Sequence, residues 1–306
     1  MKCSFCNKKA IYNDGENRYC KEHFIEYFEK RILDIIEIFN LIEPGEKIAV
    51  AVSGGKDSVS LLYLLDKYKE DLKIDVVGIH IDEGIKNYRD KLKNYLLDLA
   101  KKHNWEIKVY KFRDYFRLTL DDSVKIERRL KPCTICGVWR RWLMWKAAKD
   151  LGVDKIATAH NLNDEVQTIF INLFEGNIKD FVKGGPIVGI VEHDFVPRIK
   201  PFYLVTEKET TIYALINKID PPWVECPYIY GQTRDEIRKW LYKLEEDFPG
   251  FHKKVINKYL RILNKLKISY KKTNRINLKP CKYCGYPTSR EMCRACEIKL
   301  ILLGHK

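Results

Sequence analysis

The chain has 306 residues, of which 45% are hydrophobic and 32% are charged, so it can bury a sizeable core and is not a disordered chain. No run approaches the roughly eighteen apolar residues of a membrane-spanning helix, and no secretory signal is visible, which predicts a cytoplasmic protein without a membrane partner. Lysine and arginine outnumber the acids by 56 to 42, a net charge of +14. This excess favours a nucleic-acid partner, with a solvated lysine-rich surface as the alternative.

Apolar periodicity predicts the elements in chain order. A helix over 24–42 ends before Pro44, and the apolar run 47–52 predicts a buried parallel strand. Further strands are predicted at 74–81, 105–110 and 155–158, and helices at 59–68, 88–103, 139–151, 164–174, 206–219, 234–246 and 250–268. Strands that alternate with helices predict an α/β protein with a doubly wound parallel sheet, whose ligands bind at the carboxyl ends of the strands.

Both ends of the chain carry clusters of soft metal ligands. The clusters are Cys3, Cys6, Cys20 and His23 at one end, and Cys281, Cys284, Cys293 and Cys296 at the other. Two short knuckles, each with two ligands, close a tetrahedron around zinc, and four protein ligands leave no open position. We therefore expect two structural zinc sites, with chance cysteines or disulfides as the alternative.

The first strand leads into a glycine-rich turn with the sequence SGGKDS, from Ser53 to Ser58. Its glycines let backbone amides face an anion, the next helix offers its positive end, and Lys56 adds a charge. The turn is not a Walker A loop, because Asp57 separates the lysine from the serine. It resembles the pyrophosphate loop of the PP-loop (ATP-pyrophosphatase) superfamily, whose members cleave ATP to AMP and pyrophosphate. An ordinary glycine-rich turn is the alternative.

Two other strand ends fit the same superfamily. There, residues at the end of the second strand approach the adenine, which would include His80, although a core histidine is equally compatible. The segment 158–165, TAHNLNDE, resembles the TGHNxDDE turn of the superfamily, with Ala159 in place of glycine. Asn163 replaces its first aspartate. In the structural alternative, Asn163 caps the helix and Asp164 favours its dipole.

Three cysteines remain outside the terminal clusters. Cys133 and Cys136 lie in the sequence PCTICG, and Cys226 precedes a proline. Basic neighbours and a helix start predict a lowered thiol pKa and thiolate character. Three thiolates suit sulfur chemistry or a four-iron cluster with one open iron, and inert core cysteines are the alternative.

Taken together, the motifs resemble the tRNA 2-thiouridine synthetases, the TtuA and cytoplasmic tRNA 2-thiolation protein group of the PP-loop superfamily. Both terminal clusters, SGGKDS, PCTICG, AHNLNDE, KGGP at 183–186 and ECP at 225–227 carry the resemblance over nearly the whole chain. It implies a PP-loop catalytic domain over 29–272, with a helical C-terminal part, between zinc modules over 1–28 and 273–306.

The resemblance implies a reaction in which ATP adenylates the C2 oxygen of a tRNA uridine and sulfur then displaces AMP. Asp164 would assist the reacting oxygens or Mg²⁺. Cys133, Cys136 and Cys226 would ligate a 4Fe-4S cluster whose open iron carries sulfide. The alternative is a persulfide on one cysteine that a second cysteine resolves as a disulfide, a route that needs only two of the three cysteines. The residues implied to contact ATP are Ala51, Ser53, Gly54, Gly55, Lys56, Asp57, Ser58, His80, Arg140, Ala159 and Asn161.

The partners implied are tRNA and a sulfur donor, either a ubiquitin-like protein thiocarboxylate or free sulfide. Family members are often homodimers. The sequence of residues 133–141 is more similar to the family branch that modifies wobble uridine 34, so we expect uridine 34 to be the target. The stretch 183–186 is closer to the branch that modifies T-loop uridine 54, which is the alternative.

Candidate RNA contacts are the arginines around the cysteines, the zinc modules and one basic helix. The residues of that helix are Lys253, Lys254, Lys258, Arg261, Lys265 and Lys267. Other PP-loop enzymes are a competing prediction, although they do not account for both metal ends and the three cysteines. A zinc-stabilised RNA-binding protein with a vestigial loop is the competing function from another class.

Overall fold

The computed structural model describes residues 1–127, 129–189, 195–228, 233–273 and 278–304. Within these ranges the strands are β1 (Tyr12–Asn13), β2 (Arg18–Tyr19), β3 (Lys47–Ala51), β4 (Asp75–Asp82), β5 (Ile107–Lys111), β6 (Lys155–Ala157), β7 (Ile187–Val188), β8 (Arg198–Ile199), β9 (Lys279–Pro280) and β10 (Pro287–Thr288). The helices are α1 (Lys21–Ile38), α2 (Lys56–Lys67), α3 (Lys69–Leu72), α4 (Arg89–His103), α5 (Phe112–Phe116), α6 (Leu120–Ile126), α7 (Pro132–Leu151), α8 (Leu162–Phe174), α9 (Ile178–Val182), α10 (Glu207–Ile216), α11 (Thr233–Asp247), α12 (Phe251–Thr273) and α13 (Arg294–Leu302). In these ranges no helix is long and apolar enough to cross a membrane.

The central sheet orders its described strands β5-β4-β3-β6-β8-β7. Neighbours pair in parallel except β7, which runs antiparallel to β8 at one edge. Val50 of β3 lies opposite Gly78 of β4 and Ala157 of β6, so the carboxyl ends of three strands meet at one edge of the sheet. The predicted α/β fold with a parallel sheet is confirmed, and the antiparallel β7 makes the sheet mixed at that edge.

Helices cover both faces of the sheet. Ile48 and Val50 join the apolar cluster of α1, α2, α4 and α10, whereas Ala49 joins the cluster of α5 and α7. This alternation follows from the two-residue period of a strand. A third apolar cluster holds α8, α11 and α12 together. The elements that flank the carboxyl ends of the strands are therefore all anchored in apolar clusters.

Most predicted elements are present with slightly shifted ends, and α7 is the informative exception. It begins at Pro132, seven residues before the predicted start at Trp139. Proline is well tolerated at the first position of a helix, where its missing N–H has no partner to lose. Cys133 and Cys136 therefore lie in the first two turns of a helix.

Each terminal cysteine cluster is built onto a helix that also packs in the core. Cys20 is the N-cap of α1, which continues through the expected domain boundary at 28/29 and buries Phe28 and Ile32. At the other end of the chain, the indole N–H of Trp139 in α7 donates to the Ala295 carbonyl of α13 at 3.2 Å.

Candidate active site

The SGGKDS loop connects β3 to α2 and is held by its own serines. The Ser53 amide donates to Ser58 Oγ at 3.1 Å, and Ser58 Oγ donates to the Gly55 carbonyl at 3.0 Å. Gly54 has φ +91°, and a Cβ there would lie 2.9 Å from the carbonyl oxygen of Leu92. Only glycine fits such a position, so the loop holds a preformed shape with the N-terminus of α2 behind it.

Two charged side chains at the start of α2 face helix α10. Lys56 Nζ lies 2.8 Å from Asp57 and 3.6 Å from Glu207. Asp57 also accepts a hydrogen bond from the buried hydroxyl of Thr210. These contacts fix both side chains beside the loop, where a lysine can meet phosphate oxygens and a carboxylate can meet a cation.

The AHNLNDE turn connects β6 to α8 and brings a second carboxylate to the loop. Asn161 caps α8: its side chain accepts from the Asp164 amide at 3.1 Å, and Asp164 accepts from the Asn161 amide at 3.2 Å. The prediction that Asn163 is the cap is therefore wrong, because its side-chain oxygen instead accepts from the Glu207 amide at 3.0 Å. Burial, reinforced by the negative charge of Asp57, raises the pKa of Asp164 to about 6.

His80 lies beneath the loop. Its side chain is 0% exposed, and its Nδ1–H donates to the Val52 carbonyl at 2.8 Å. Burial, followed by the positive charge of Arg89, lowers the pKa of His80, so the ring is neutral. This geometry favours the core-histidine alternative, in which the ring supports the loop backbone, and contact with adenine stays a prediction.

The residues predicted to contact ATP lie on neighbouring segments at this edge. They are Ala51 at the end of β3, Ser53, Gly54, Gly55, Lys56, Asp57 and Ser58 on the loop and the start of α2, His80 on β4, Arg140 on α7, and Ala159 and Asn161 after β6. The parallel order β4-β3-β6 brings the three strand ends together. Ligands of parallel α/β sheets bind at this edge, as the sequence predicts.

The three central cysteines lie in and beside the N-terminus of α7. The Cys133 sulfur approaches the Tyr228 carbonyl at 3.7 Å, which places the segment that follows Cys226 against the helix. Burial and then the Cys133 charge raise the pKa of Cys226. Burial raises the pKa of Cys136 to about 11. The expectation that basic neighbours lower the thiol pKa is thus wrong for Cys136 and Cys226, because desolvation outweighs those charges.

The spacing of these three sulfurs differs from that of the terminal clusters. Among the described residues, only the two terminal groups bring three or more metal-ligand atoms within 4.8 Å of one another. One tetrahedral zinc ion needs sulfurs roughly 3.8 Å apart, whereas the irons of a four-iron cluster each take a separate cysteine. Cys133, Cys136 and Cys226 therefore do not form a third compact group of the zinc type among the described residues.

An ion network joins the loop to the cysteines, and the sequence analysis did not identify it. Glu83 lies 2.6 Å from Arg140 and 2.5 Å from Arg89. Arg89 also donates to the Ser53 carbonyl at 2.8 Å, and Arg140 donates to the Cys136 sulfur at 3.3 Å. Glu83 directly follows β4, so its place after a strand end was the one signal available.

The terminal clusters have the geometry of closed metal sites. In the first, the Cys6 and Cys20 sulfurs are 3.7 Å apart, and His23 Nδ1 is 3.3 Å from Cys20. In the second, the Cys284 and Cys293 sulfurs are 3.6 Å apart. These separations exceed the S–S bond of about 2.05 Å and match ligands around one tetrahedral ion. The predicted grouping is confirmed: Cys3 completes the first quartet, and Cys281 and Cys296 complete the second.

The predicted basic helix is α12, and one of its cations differs from the rest. Its exposed members are Lys253, Lys254, Lys258, Arg261 and Lys265. Lys267 instead donates to the Ile187 carbonyl at 3.1 Å, and burial lowers its pKa to about 8. Lys267 therefore serves the packing of β7 rather than the exposed basic face.

The chain matches the PP-loop domain over residues 25–243. It is 33% identical to the tRNA 2-thiolation protein NcsA of Haloferax volcanii, over 97% of this chain and 98% of that protein. The chain belongs to the PP-loop family, in its tRNA 2-thiolation group. This PP-loop chain is also 34% identical to a tRNA-5-methyluridine(54) 2-sulfurtransferase of Pyrococcus horikoshii, over 97% of its own length and 93% of that enzyme.

One solved structure shares nearly the whole architecture of the PP-loop chain. It is the U34-tRNA thiolase NcsA from Methanococcus maripaludis with its [4Fe-4S] cluster. The two superpose with a TM-score of 0.82 at 29% identity, over 97% of this chain and 95% of that structure. The resemblance inferred from the motifs is thus confirmed in both sequence and structure.

Proposed function

We propose that this protein is an ATP-dependent tRNA-uridine 2-sulfurtransferase. The observation that carries the proposal is the link between the PP-loop and the cysteines, in which Arg140 lies 3.3 Å from the Cys136 sulfur and shares Glu83 with Arg89, which holds Ser53. A nucleotide bound at the loop and a sulfur species held by the cysteines would meet in one crevice. The names of the relatives, which describe tRNA 2-thiolation, support this conclusion.

The loop and the carboxylates supply the activation step. Amides of the SGGKDS loop and Lys56 bind the β and γ phosphates of ATP, and Arg140 faces them from α7. The C2 oxygen of the uridine attacks the α phosphorus, forms an O–P bond and displaces pyrophosphate. Asp57 and Asp164 would hold Mg²⁺, which neutralises phosphate charge when bound. Sulfur then adds at C2, and the C2–O bond breaks as AMP leaves.

Cys133, Cys136 and Cys226 would hold a 4Fe-4S cluster, which supplies an iron that can carry sulfide. Three free cysteines are the donor set for such a cluster with one open iron, and the related thiolase is described with a [4Fe-4S] cluster. Arg140 beside Cys136 offers positive charge where anionic sulfur must approach. The persulfide route uses the same residues but needs only two of them.

The metal and partner assignments belong to the same proposal. The two terminal quartets would hold structural Zn²⁺, because three or four thiolates in a closed tetrahedron suit that ion. The tRNA would lie along the exposed cations of α12 and the arginines near the cysteines, with a flipped uridine in the crevice. Uridine 34, a thiocarboxylate or sulfide donor, a homodimer and a cytoplasmic location stay predictions.

The experiment that tests the proposal is tRNA-dependent AMP formation by anaerobically prepared protein. With ATP, sulfide and unmodified tRNA, we expect AMP and pyrophosphate in equal amounts, and little of either when tRNA is omitted. Lys56→Ala should abolish both products. A vestigial loop predicts tRNA binding without AMP, and that result in protein with intact metal sites would favour the RNA-binding alternative.

A further inference from the structure

The buried carboxylate of Glu83 forms ion pairs with two arginines, and each arginine contacts a different part of the site. Its side chain is 1% exposed and that of Arg89 is 3% exposed. Arg89 contacts it twice, Nε to Oε2 at 2.5 Å and Nη2 to Oε1 at 2.9 Å. The remaining nitrogen of Arg89, Nη1, donates to the Ser53 carbonyl at 2.8 Å. Glu83 therefore fixes the first residue of the PP-loop through Arg89.

The second guanidinium leads to the cysteines. Arg140 lies in α7, four residues after Cys136, so both side chains lie on the same face of the helix. Its Nη2 is 2.6 Å from Glu83 Oε1 and 3.3 Å from Cys136 Sγ. The Arg140 side chain remains 46% exposed, unlike Glu83 and Arg89. Arg140 can thus touch a ligand in the crevice, while Glu83 cannot.

The charge balance makes the carboxylate hard to replace. Two guanidiniums and one carboxylate leave a net charge of about +1 between the loop and the cysteines. If the carboxylate lost its charge, Arg89 would be a buried cation without a counter-ion. Arg140 would be released from the same oxygen and could swing away from Cys136. Both ends of the network therefore depend on a single side chain.

We propose that Glu83 is a positioning residue that holds the PP-loop and Cys136 in register with each other. It acts through Arg89 on the Ser53 carbonyl and through Arg140 on the Cys136 sulfur, and it touches neither nucleotide nor sulfur species itself. The inference deepens the proposed function, on which it rests for the chemistry at the two ends. The network supplies the geometry that lets activated uridine and sulfur meet.

The test compares Glu83→Gln with Glu29→Gln in the full-length protein. Glu29 is a matched control, because its carboxylate is also buried, 4% exposed, and paired with Lys67 at 2.6 Å, but it belongs to the α1 side of the core. Two readouts are taken on each anaerobic protein: the Kd for ATP and the electron paramagnetic resonance and visible spectra of the cluster. We expect Glu83→Gln to raise the Kd for ATP about tenfold or more and to shift the spectra.

The control variant should leave both readouts within about twofold of the wild type while it lowers the melting temperature. Glu83→Asp serves if Glu83→Gln does not fold: it keeps the charge but is one methylene shorter, so it cannot reach both guanidiniums, and both readouts should again move. If Glu83→Gln or Glu83→Asp changes only the Kd for ATP, only the cluster spectra, or neither, the inference is overturned. Neither readout uses tRNA, so a failure to thiolate tRNA would count against the proposed function alone.

Discussion

The indole N–H of Trp142 donates to the Cys284 sulfur at 3.3 Å, which ties helix α7 to the C-terminal metal quartet. The same helix carries Cys133 and Cys136 in its first two turns and Arg140 two residues before Trp142. The C-terminal cysteine quartet therefore braces the helix that carries Cys133 and Cys136.

The first prediction concerns this brace. Cys284→Ser should remove about one of two zinc equivalents and lower the melting temperature by at least about 5 °C, because binding energy at a structural site is folding energy. Trp142→Phe deletes the donor and leaves a small cavity, so it should keep both zinc equivalents and cost about 1–3 kcal/mol of the free energy of unfolding. Zinc analysis and thermal unfolding measure both. A zinc-depleted variant with an unchanged melting temperature would contradict the brace.

The second prediction concerns Gly54. Gly54→Ala should weaken ATP binding and cost about 1–3 kcal/mol of unfolding free energy, because the new Cβ meets the Leu92 carbonyl at a positive φ. Gly45→Ala is the matched control: its φ is +90°, and nothing lies within 4 Å of an added Cβ. Gly45→Ala should therefore show backbone strain alone and normal ATP affinity. Equal ATP affinities for the two variants would argue against a loop shape set by close approach.

The third prediction concerns pH. Because burial raises the pKa of Asp164 to about 6, the folded protein binds a proton there that the unfolded chain releases near pH 4. This group therefore makes stability fall as pH rises from about 4 to 6, and Asp164→Asn should remove that slope. If Asp164 holds Mg²⁺ as proposed, AMP formation requires the charged carboxylate, so the rate should rise with pH through about 6. A rate that is flat between pH 5 and 7 would contradict the assignment.

The fourth prediction separates the cluster from the persulfide route. Cys133→Ser, Cys136→Ser and Cys226→Ser should each lose most of the iron and all thiolation, because the proposed cluster takes one ligand from each side chain. Each should retain ATP binding. Thr134→Ala, in the same turn of α7, is the control and should retain iron. Iron analysis and thiolation assays report both properties. One serine variant of the three with full thiolation activity would favour the persulfide route.

The sequence predicted those features that local patterns encode. Strands β3 to β6 were visible as apolar runs, and the SGGKDS loop and the terminal quartets as short motifs with fixed spacing. Strands β7 and β8 have two residues each, too few for a period. The cap of α8 was misplaced by two residues, because Asn163 finds a partner in α10 that sequence spacing does not reveal.

The sequence did not predict the electrostatic contacts between residues far apart in the chain. Glu83 and Arg140 are 57 positions apart, and their contact depends on how β4 and α7 meet across the sheet. The pKa of Cys136 was predicted in the wrong direction because its basic neighbours are visible in the sequence, whereas its burial is a property of the packed helix.

The most direct test of the central claim is thiolation of unmodified tRNA by anaerobically prepared protein with ATP and sulfide, followed by digestion and mass mapping of the fragments. We predict a sulfur-for-oxygen mass shift on a single uridine, at position 34, that disappears without ATP. A shift at position 54 would keep the reaction and change the target. No shift on any uridine, in protein that retains its zinc, its cluster and its ATP binding, would contradict the account.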